Sequence, residues 1–181
     1  MGIEEAFQRV KLFSGFIYRS EDLYQVMKER LAGHFSPLDL ESAVFTFDCT
    51  SYYNQEMGTP LFRRFVSFKE LIPPEQLPEI KLFTNRIERE SAREGNRVVN
   101  LDPGYLSSAN VVIATTKNYY HRVPLQQGIY AHLEYVVKGK QICLLAWTYP
   151  DFKTPGYLDF FQRLLQQYKC EIKEMRKKKV L

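Results

Sequence analysis

The chain has 181 residues, of which 45% are hydrophobic and 25% charged, a balance typical of a globular protein rather than a disordered chain. The formal net charge is only +4, and four cations lie in a basic C-terminal end at 176–181, so charge gives little support for a polyanionic partner. Three cysteines without a C-x-x-C pair disfavour a disulfide scaffold or thiolate zinc site, and no apolar run approaches the roughly 20 residues of a membrane helix. We therefore expect a single soluble, cytoplasmic domain over 1–181 without membrane contact.

The N-terminal half predicts the element order strand, helix, strand, strand, helix, strand. Runs rich in β-branched and aromatic residues place the strands at 10–18, 40–48, 61–68 and 97–101. Ser20 is a typical N-cap for the first helix and Gly33 a typical stop, while Pro73 opens the second helix and Gly95 ends it. This order is typical of the split βαβ, ferredoxin-like arrangement.

The C-terminal half predicts an extension of that arrangement. Asp-Pro-Gly at 102–104 predicts a tight turn, and 107–116 is compatible with either a helix or a strand. Alternating apolar residues at 129–137 predict a strand that pairs with 141–147 as a hairpin, and apolar spacing from Leu158 onward predicts a long helix. The expected class is α+β, with a ferredoxin-like split βαβ half, an antiparallel β-hairpin extension and a long C-terminal helix.

Polar chemistry is densest between residues 97 and 132. Threonine hydroxyls, an ammonium, an imidazole and a guanidinium lie close together there, and these groups suit phosphate or carboxylate. The sequence therefore predicts a pocket for a phosphorylated or otherwise anionic small molecule or nucleotide, with enzymatic activity left open. The predicted ligand-binding residues are Asn100, Asp102, Tyr105, Lys117, His121, Arg122 and Tyr130.

Three residues in or near this stretch are candidates for catalysis. Asp48 and Asp102 each leave a predicted strand, where a tuned carboxyl group acts as an acid or base, and His121 is the corresponding imidazole. The structural alternatives are that Asp102 stabilises a turn, that Asp48 caps the following loop, and that the cations near His121 face water.

Several familiar binding motifs are missing from the sequence. It contains neither the G-x-x-x-x-G-K-[ST] phosphate loop nor G-x-G-x-x-G, and no H-x-x-x-H or H-E-x-x-H spacing for a metal. No metal site is predicted, and the cofactor stays unknown. Two alternative functions remain. One is a nucleic-acid-binding module using Arg63, Arg64, the Tyr52–Tyr53 loop and the basic C-terminal end, and the other is a protein-interaction or scaffold role for surplus aromatic residues. Oligomeric state is left open.

Several segments distributed along the chain also indicate a family. They read VKLFSGFIY, FDCTSYY, EMG, EIKLFTN, NLDPGYL, ATTK, HR, GIYA and WTYPD, in that order. With them the chain resembles the bacterial family named domain of unknown function 4416, over nearly its whole length. The resemblance implies a small, free-standing, soluble bacterial protein. It implies no mechanism and assigns no functional residue.

Overall fold

Residues 2–178 are described by a computed structural model, in which one nine-stranded antiparallel sheet carries helices on both faces. The strands are β1 Val10–Tyr18, β2 Leu38–Glu41, β3 Phe45–Thr46, β4 Phe62–Ile72, β5 Val99–Leu106, β6 Asn110–Thr115, β7 Arg122–Pro124, β8 Tyr130–Lys138 and β9 Gln141–Leu144. The α-helices are α1 Glu21–His34, α2 Asn54–Met57, α3 Leu77–Ser91 and α4 Pro155–Lys178, with short 3-10 turns at Pro74–Gln76 and Asp151–Lys153. The predicted α+β class, the hairpin of β8 with β9 and the long C-terminal helix are confirmed. Of the basic end predicted at 176–181, residues 179–181 lie outside the described range.

The sheet order is β2-β4-β1-β5-β6-β8-β7, with β3 added beside β4 and β9 beside β8. Helices α1 and α3 cover one face of the first four strands, where Tyr24 and Leu31 of α1 and Ile87 of α3 share a core with Phe16 and other strand residues. The predicted alternation of strands and helices is therefore found in this half. Its kinship with ferredoxin-like folds stays a prediction.

Helix α4 covers the opposite face of the sheet. Phe160, Phe161 and Leu164 on α4 pack with Phe13 of β1 and Phe65 of β4 in a second, strongly aromatic core. Because helices cover both faces of the sheet, every residue of β1 is buried, which explains its nearly continuous apolar sequence. Within residues 2–178, no helix has the length and apolar character needed to cross a bilayer.

The predicted turn at Asp102-Pro103-Gly104 is wrong. These residues lie inside β5, where Asp102 pairs with Gly15 and Gly104 with Phe13 of β1. Pro103 is tolerated because β6 pairs only with Gly104–Leu106. The first half of β5 therefore has no neighbouring strand on the side away from β1, and a backbone N–H at residue 103 would have no strand partner on that side. The residue types Asp, Pro and Gly favour a turn, but pairing with β1 extends β5 beyond the strand end predicted at residue 101.

Two other predicted segments differ in detail. The strand predicted at 40–48 is interrupted between β2 and β3, where the Ser42 hydroxyl accepts a hydrogen bond from the Phe65 backbone N–H at 3.0 Å. The segment 107–116 is settled as the strand β6. Its preceding turn is held by the Ser107 hydroxyl, which accepts hydrogen bonds from the backbone N–H groups of Ala109 and Asn110.

Candidate functional site

A cavity of about 550 Å³ lies where β5 and β6 diverge. The two strands pair only between Gly104–Leu106 and Val111–Ile113, so the first half of β5 separates from the second half of β6. Side chains from both strands, from α3, from β4 and from the loop before α4 line the resulting space. Its ionisable lining residues include the cations Arg63, Lys81, Arg97 and Lys117 and the acids Glu88, Asp102 and Asp151.

Two buried side chains of α3 replace the missing strand beside β5. Lys81 Nζ donates a hydrogen bond to the Leu101 carbonyl oxygen at 2.7 Å, and Glu88 Oε1 accepts one from the Leu101 N–H at 2.7 Å. Burial raises the pKa of the Glu88 carboxyl, with the Lys81 charge acting in the opposite direction. The polar stripe of α3 therefore satisfies the free edge of β5 and forms one wall of the cavity.

An ion pair crosses β1 at the inner end of the cavity. Arg63 Nη1 on β4 donates to Asp102 Oδ2 on β5 at 3.0 Å. Asp102 pairs with Gly15 of β1 and Arg63 with Ile17, so the ion pair runs diagonally across β1. A Cβ at Gly15 would lie 3.3 Å from the Arg63 guanidinium carbon and 3.0 Å from the Phe65 ring, so the glycine leaves room for the crossing.

The two acids nearest Arg63 are driven in opposite directions. Burial opposes ionisation of Asp102, yet the charges of Arg63 and Lys81 outweigh it and hold the pKa of the Asp102 carboxyl below its usual range. Burial raises the pKa of the Asp151 carboxyl, although Arg63 favours its ionised form. The cavity wall therefore holds two carboxyl groups whose environments separate their pKa values.

Two buried donors at the cavity make no hydrogen bond of ordinary geometry with residues 2–178, although the Asn100 amide lies close enough to Asp102 to help lower the pKa of that carboxyl group. They are Arg63 Nε and Asn100 Nδ2, and both side chains are almost fully buried. Asn100 Oδ1 accepts from Arg97 Nη1 at 3.0 Å, which fixes the amide so that its NH₂ group is the unpaired end. Buried donors nearly always have an acceptor, which a water molecule or a bound molecule in the cavity would supply here.

The mouth of the cavity is aromatic and basic. Lys117 Nζ lies 4.0 Å from the centre of the Tyr52 ring, a cation–π contact. Arg97 binds Glu56 through two hydrogen bonds of 2.8 and 2.7 Å and lies over the Tyr53 ring. At the mouth, Arg97 is thus paired with a carboxylate, whereas the Lys117 ammonium group lies on the Tyr52 ring.

His121 and Arg122 belong to a buried network behind the cavity wall. His121 Nε2 lies 3.1 Å from His132 Nδ1, and His132 Nε2 lies 2.6 Å from Glu134 Oε2. Arg122 donates from Nε to His132 Nδ1 at 3.3 Å and from Nη2 to the Tyr149 hydroxyl at 2.6 Å. Tyr149 itself lines the cavity, so the network sets the position of one wall residue.

The donors in this network determine where the imidazole protons reside. Arg122 Nε can only donate, so His132 Nδ1 carries a lone pair and His132 Nε2 carries the proton that Glu134 accepts. His121 Nε2 then donates to the same lone pair, which leaves His121 Nδ1 without a proton. Burial, with His132 and Arg122, lowers the pKa of His121 and so favours this neutral form.

Nitrogen-15 NMR at neutral pH is therefore expected to show both His121 and His132 as the Nε2–H tautomer. The two carboxylate oxygens of Glu134 accept hydrogen bonds from the His132 N–H and the Tyr149 backbone N–H. In Glu134→Gln an amide NH₂ would face one of these donors, so the free energy of unfolding is expected to fall by about 1–3 kcal/mol. Glu29→Gln on the exposed side of α1 is the matched control. A proton on His132 Nδ1 in the wild-type protein would contradict the assignment.

Comparison with known proteins identifies the family to which this chain belongs. The model of the family described as "Domain of unknown function (DUF4416)" matches residues 8–168, about nine-tenths of the chain. The chain belongs to the DUF4416 family. No curated protein and no solved structure matches this DUF4416 chain. The match includes every residue that lines the cavity, so the site lies within the part that defines the family.

The structure brings only part of the predicted site together in this DUF4416 protein. Asn100, Asp102 and Lys117 line the cavity. His121 and Arg122 lie behind its wall, and Arg122 also donates to the Lys117 carbonyl oxygen at 2.7 Å, which anchors the segment that carries Lys117.

The remaining candidates lie away from the lining. Tyr105 packs in a small core beside β6, Tyr130 lies on β8, and Asp48 is exposed on the loop after β3. Among residues 2–178, no group of three or more His, Cys, Asp or Glu side chains is placed to hold a metal ion.

The sequence interpretation missed several residues of the site. Lys81 and Glu88 were hidden among the charges of an amphipathic helix, although with Asn85 their spacing of four and three residues puts all three on one flank of α3. Arg63 was considered only as a surface cation, and Tyr149 was not considered. A charged residue in a strand that is otherwise rich in aromatic and apolar residues was the one available signal for Arg63.

Proposed function

We propose that this DUF4416 protein binds a small anionic molecule, a phosphorylated metabolite or nucleotide, in the cavity between β5 and β6. The observation that carries the proposal is the pair of buried donors, Arg63 Nε and Asn100 Nδ2, that lack an acceptor. An oxygen-rich anion would supply acceptors for both, and the cavity volume lies within the range of small-molecule sites.

The charges of the cavity support the same proposal. Its four cationic side chains exceed its three acidic ones, and burial raises the pKa of both Glu88 and Asp151, so protonation of either acid adds to the positive surplus. Inside a partly desolvated cavity such a surplus attracts anions more strongly than it would in water. The Tyr52 and Tyr53 rings at the mouth would offer flat apolar surface to a base or another ring.

Catalysis would use the acids of the same cavity. Asp151, whose pKa is raised by burial, has the character of a proton donor, and Asp102, whose lowered pKa makes it a weak base, would act through its negative charge. The other two candidates for catalysis, Asp48 and His121, do not line the cavity. We propose Asp102 and Asp151 as the pair to replace first if a reaction is found.

A thermal-denaturation screen against inorganic phosphate, pyrophosphate, nucleotides and phosphorylated sugars tests the proposal. A true ligand at about 100 times its dissociation constant should raise the free energy of unfolding by about 2.7 kcal/mol. Lys117→Ala is expected to weaken binding about tenfold or more, since a hydrogen bond to a charged group contributes about 1.5–3 kcal/mol. Asn100→Asp should weaken binding of the same ligand by placing a carboxylate beside the anion.

The matched control is Lys138→Ala, which removes an exposed lysine at the end of β8. It should leave the ligand effect unchanged. Equal loss in Lys138→Ala and Lys117→Ala would indicate nonspecific attraction of anions, and no stabilisation of the wild-type protein by any of these compounds would count against an anion site.

The nucleic-acid alternative has less support. Arg63 is buried in the ion pair with Asp102, and Arg64 is already paired with Glu21 and Glu41. Binding through phosphate contacts would fall steeply with added salt, which a titration with single-stranded RNA and duplex DNA measures.

We propose a cytoplasmic location, a bacterial origin and a ferredoxin-like relationship for the N-terminal half. Three unpaired thiols within the described chain, at Cys49, Cys143 and Cys170, suit a reducing compartment. The resemblance noted from the sequence supports the bacterial origin. The strand order β2-β4-β1-β5, with α1 and α3 on one face, supports the fold relationship.

A further inference from the structure

A second hollow, of about 660 Å³, lies along the last turns of α4 on the side away from the cavity mouth residues. Its apolar surface comes from Tyr168 and Ile172. The cations around it are Lys169, Lys173, Arg176 and Lys177, and none of the described residues that line it is acidic. Lys169 donates to the Gly139 carbonyl oxygen, and Glu171, an acid on the same part of α4, is paired with Lys11.

The N-terminal segment 2–8 has the opposite character. It contains two acids, Glu4 and Glu5, no basic side chain, and two large apolar residues that are strongly exposed, Ile3 at 85% and Phe7 at 71%. These two side chains give the segment apolar surface that a contact would bury.

The same segment leaves the body of the protein at the edge of the groove. Gln8 lines the groove, and the Arg9 carbonyl oxygen accepts a hydrogen bond from the Tyr168 hydroxyl at 2.9 Å. The exposure of Ile3 and Phe7 shows that the segment does not occupy the groove of its own chain. The apolar residues of the groove and the cations around it are therefore uncovered. The adjacent N-terminal segment carries apolar and acidic side chains that complement them.

We propose that the groove along α4 binds the N-terminal segment of a second copy of this chain, forming a reciprocal homodimer. Residues 2–7, when extended, span about 20 Å at about 3.3 Å per residue. Because the segment starts beside the groove, a two-fold axis near Gln8 would bring each segment over the groove of the other copy, so both contacts form at once. Glu4 and Glu5 would lie against the cations of α4, and Phe7 against Tyr168 and Ile172.

An anionic membrane surface is the competing occupant of a basic, apolar groove. Glu4 and Glu5, beside the groove, would repel such a surface, whereas they complement the groove of a second copy. The charge of the segment therefore favours the homodimer.

Sedimentation equilibrium and light scattering of the full chain at low salt test the proposal. The wild-type protein should approach twice its 21.4 kDa mass at about 100 µM, a range suited to a modest interface. Phe7→Asp should weaken association about ten- to a hundredfold by removing the buried ring. Val26→Asp, which alters an exposed apolar residue of α1, is the matched control and should associate like the wild-type protein.

A charge exchange identifies the contact itself. Glu4→Lys with Glu5→Lys should weaken the dimer, as should Lys173→Glu with Arg176→Glu, and the chain that carries all four changes should recover it. A wild-type protein that stays monomeric, or a dimer that survives Phe7→Asp, would overturn the proposal. So would a monomer that co-sediments with phosphatidylserine vesicles, which would assign the groove to a membrane surface instead. None of these outcomes depends on the anion cavity.

Discussion

Arg63→Met is expected to lower the free energy of unfolding by about 3 kcal/mol, the lower end of the range for a fully buried pair, because it leaves the partly buried Asp102 carboxylate without its cation. The guanidinium of Arg63 also packs over the rings of Phe47, Phe65 and Phe152, so the variant loses cation–π contacts as well. Urea unfolding followed by circular dichroism measures the change.

The neighbouring residue supplies the control for this substitution. Arg64→Met removes the same side chain from the same strand and also loses cation–π contacts, with Tyr18 and Tyr24. Its partners Glu21 and Glu41 are more exposed than Asp102, so the loss of its ion pairs is expected to cost only about 0–1 kcal/mol. Equal losses in the two variants would show that the buried pair has no special role in stability.

The cost of Arg63→Met should also depend on pH. Arg63 and Lys81 outweigh the effect of burial and hold the pKa of Asp102 below its unfolded value, so the stabilisation is fully present above about pH 4 and is lost as the pH falls through the folded pKa. The difference between wild type and variant should therefore shrink in acid. A difference that is constant between pH 3 and pH 7, a range that spans the pKa of an ordinary aspartate at about 3.9, would contradict this origin.

Gly104→Ala is expected to lower the free energy of unfolding by about 3 kcal/mol, the upper part of the usual range for overpacking. A Cβ at Gly104 would lie 2.4 Å from the Val112 carbonyl oxygen and 2.5 Å from the Phe13 ring. The ring could shift only into the core beneath α4, and the carbonyl belongs to the strand beside β5, so neither neighbour can move cheaply. Thermal and urea unfolding both report the loss.

Gly33→Ala is the matched control with the opposite expected sign. Gly33 lies in the last turn of α1, and a Cβ there would meet no atom within 4 Å. Alanine should raise the free energy of unfolding by up to about 1 kcal/mol by reducing the freedom of the unfolded chain. If both alanine variants were destabilised alike, the close approach at Gly104 would not be the cause of its cost.

Local patterns were sufficient to predict most elements of this fold. The apolar run of β1, the Ser20 cap of α1 and the apolar spacing of α4 each indicate their structures, because each depends on residues close together in sequence. The C-terminal hairpin was found for the same reason, although β9 ends at Leu144, before the predicted residue 147.

The cavity could not be predicted in the same way, because it depends on contacts between distant residues. Arg63 meets Asp102 across 39 positions, and only the register of β1 shows that Gly15 makes room between them. The divergence of β5 from β6 has no sequence signature of its own. Asp102-Pro103-Gly104 was misread as a turn because its residue types suit turns, whereas strand pairing on one side only was what permitted the proline.

The divergence of β5 from β6 has a consequence for aggregation. A strand with a free side offers backbone N–H and C=O groups in a row, and another chain can pair with them. In β5 the N–H and C=O of Leu101 are occupied by Glu88 and Lys81, and Pro103 has no N–H to offer. The protein can therefore keep a gap inside its sheet without presenting an edge that recruits a foreign strand.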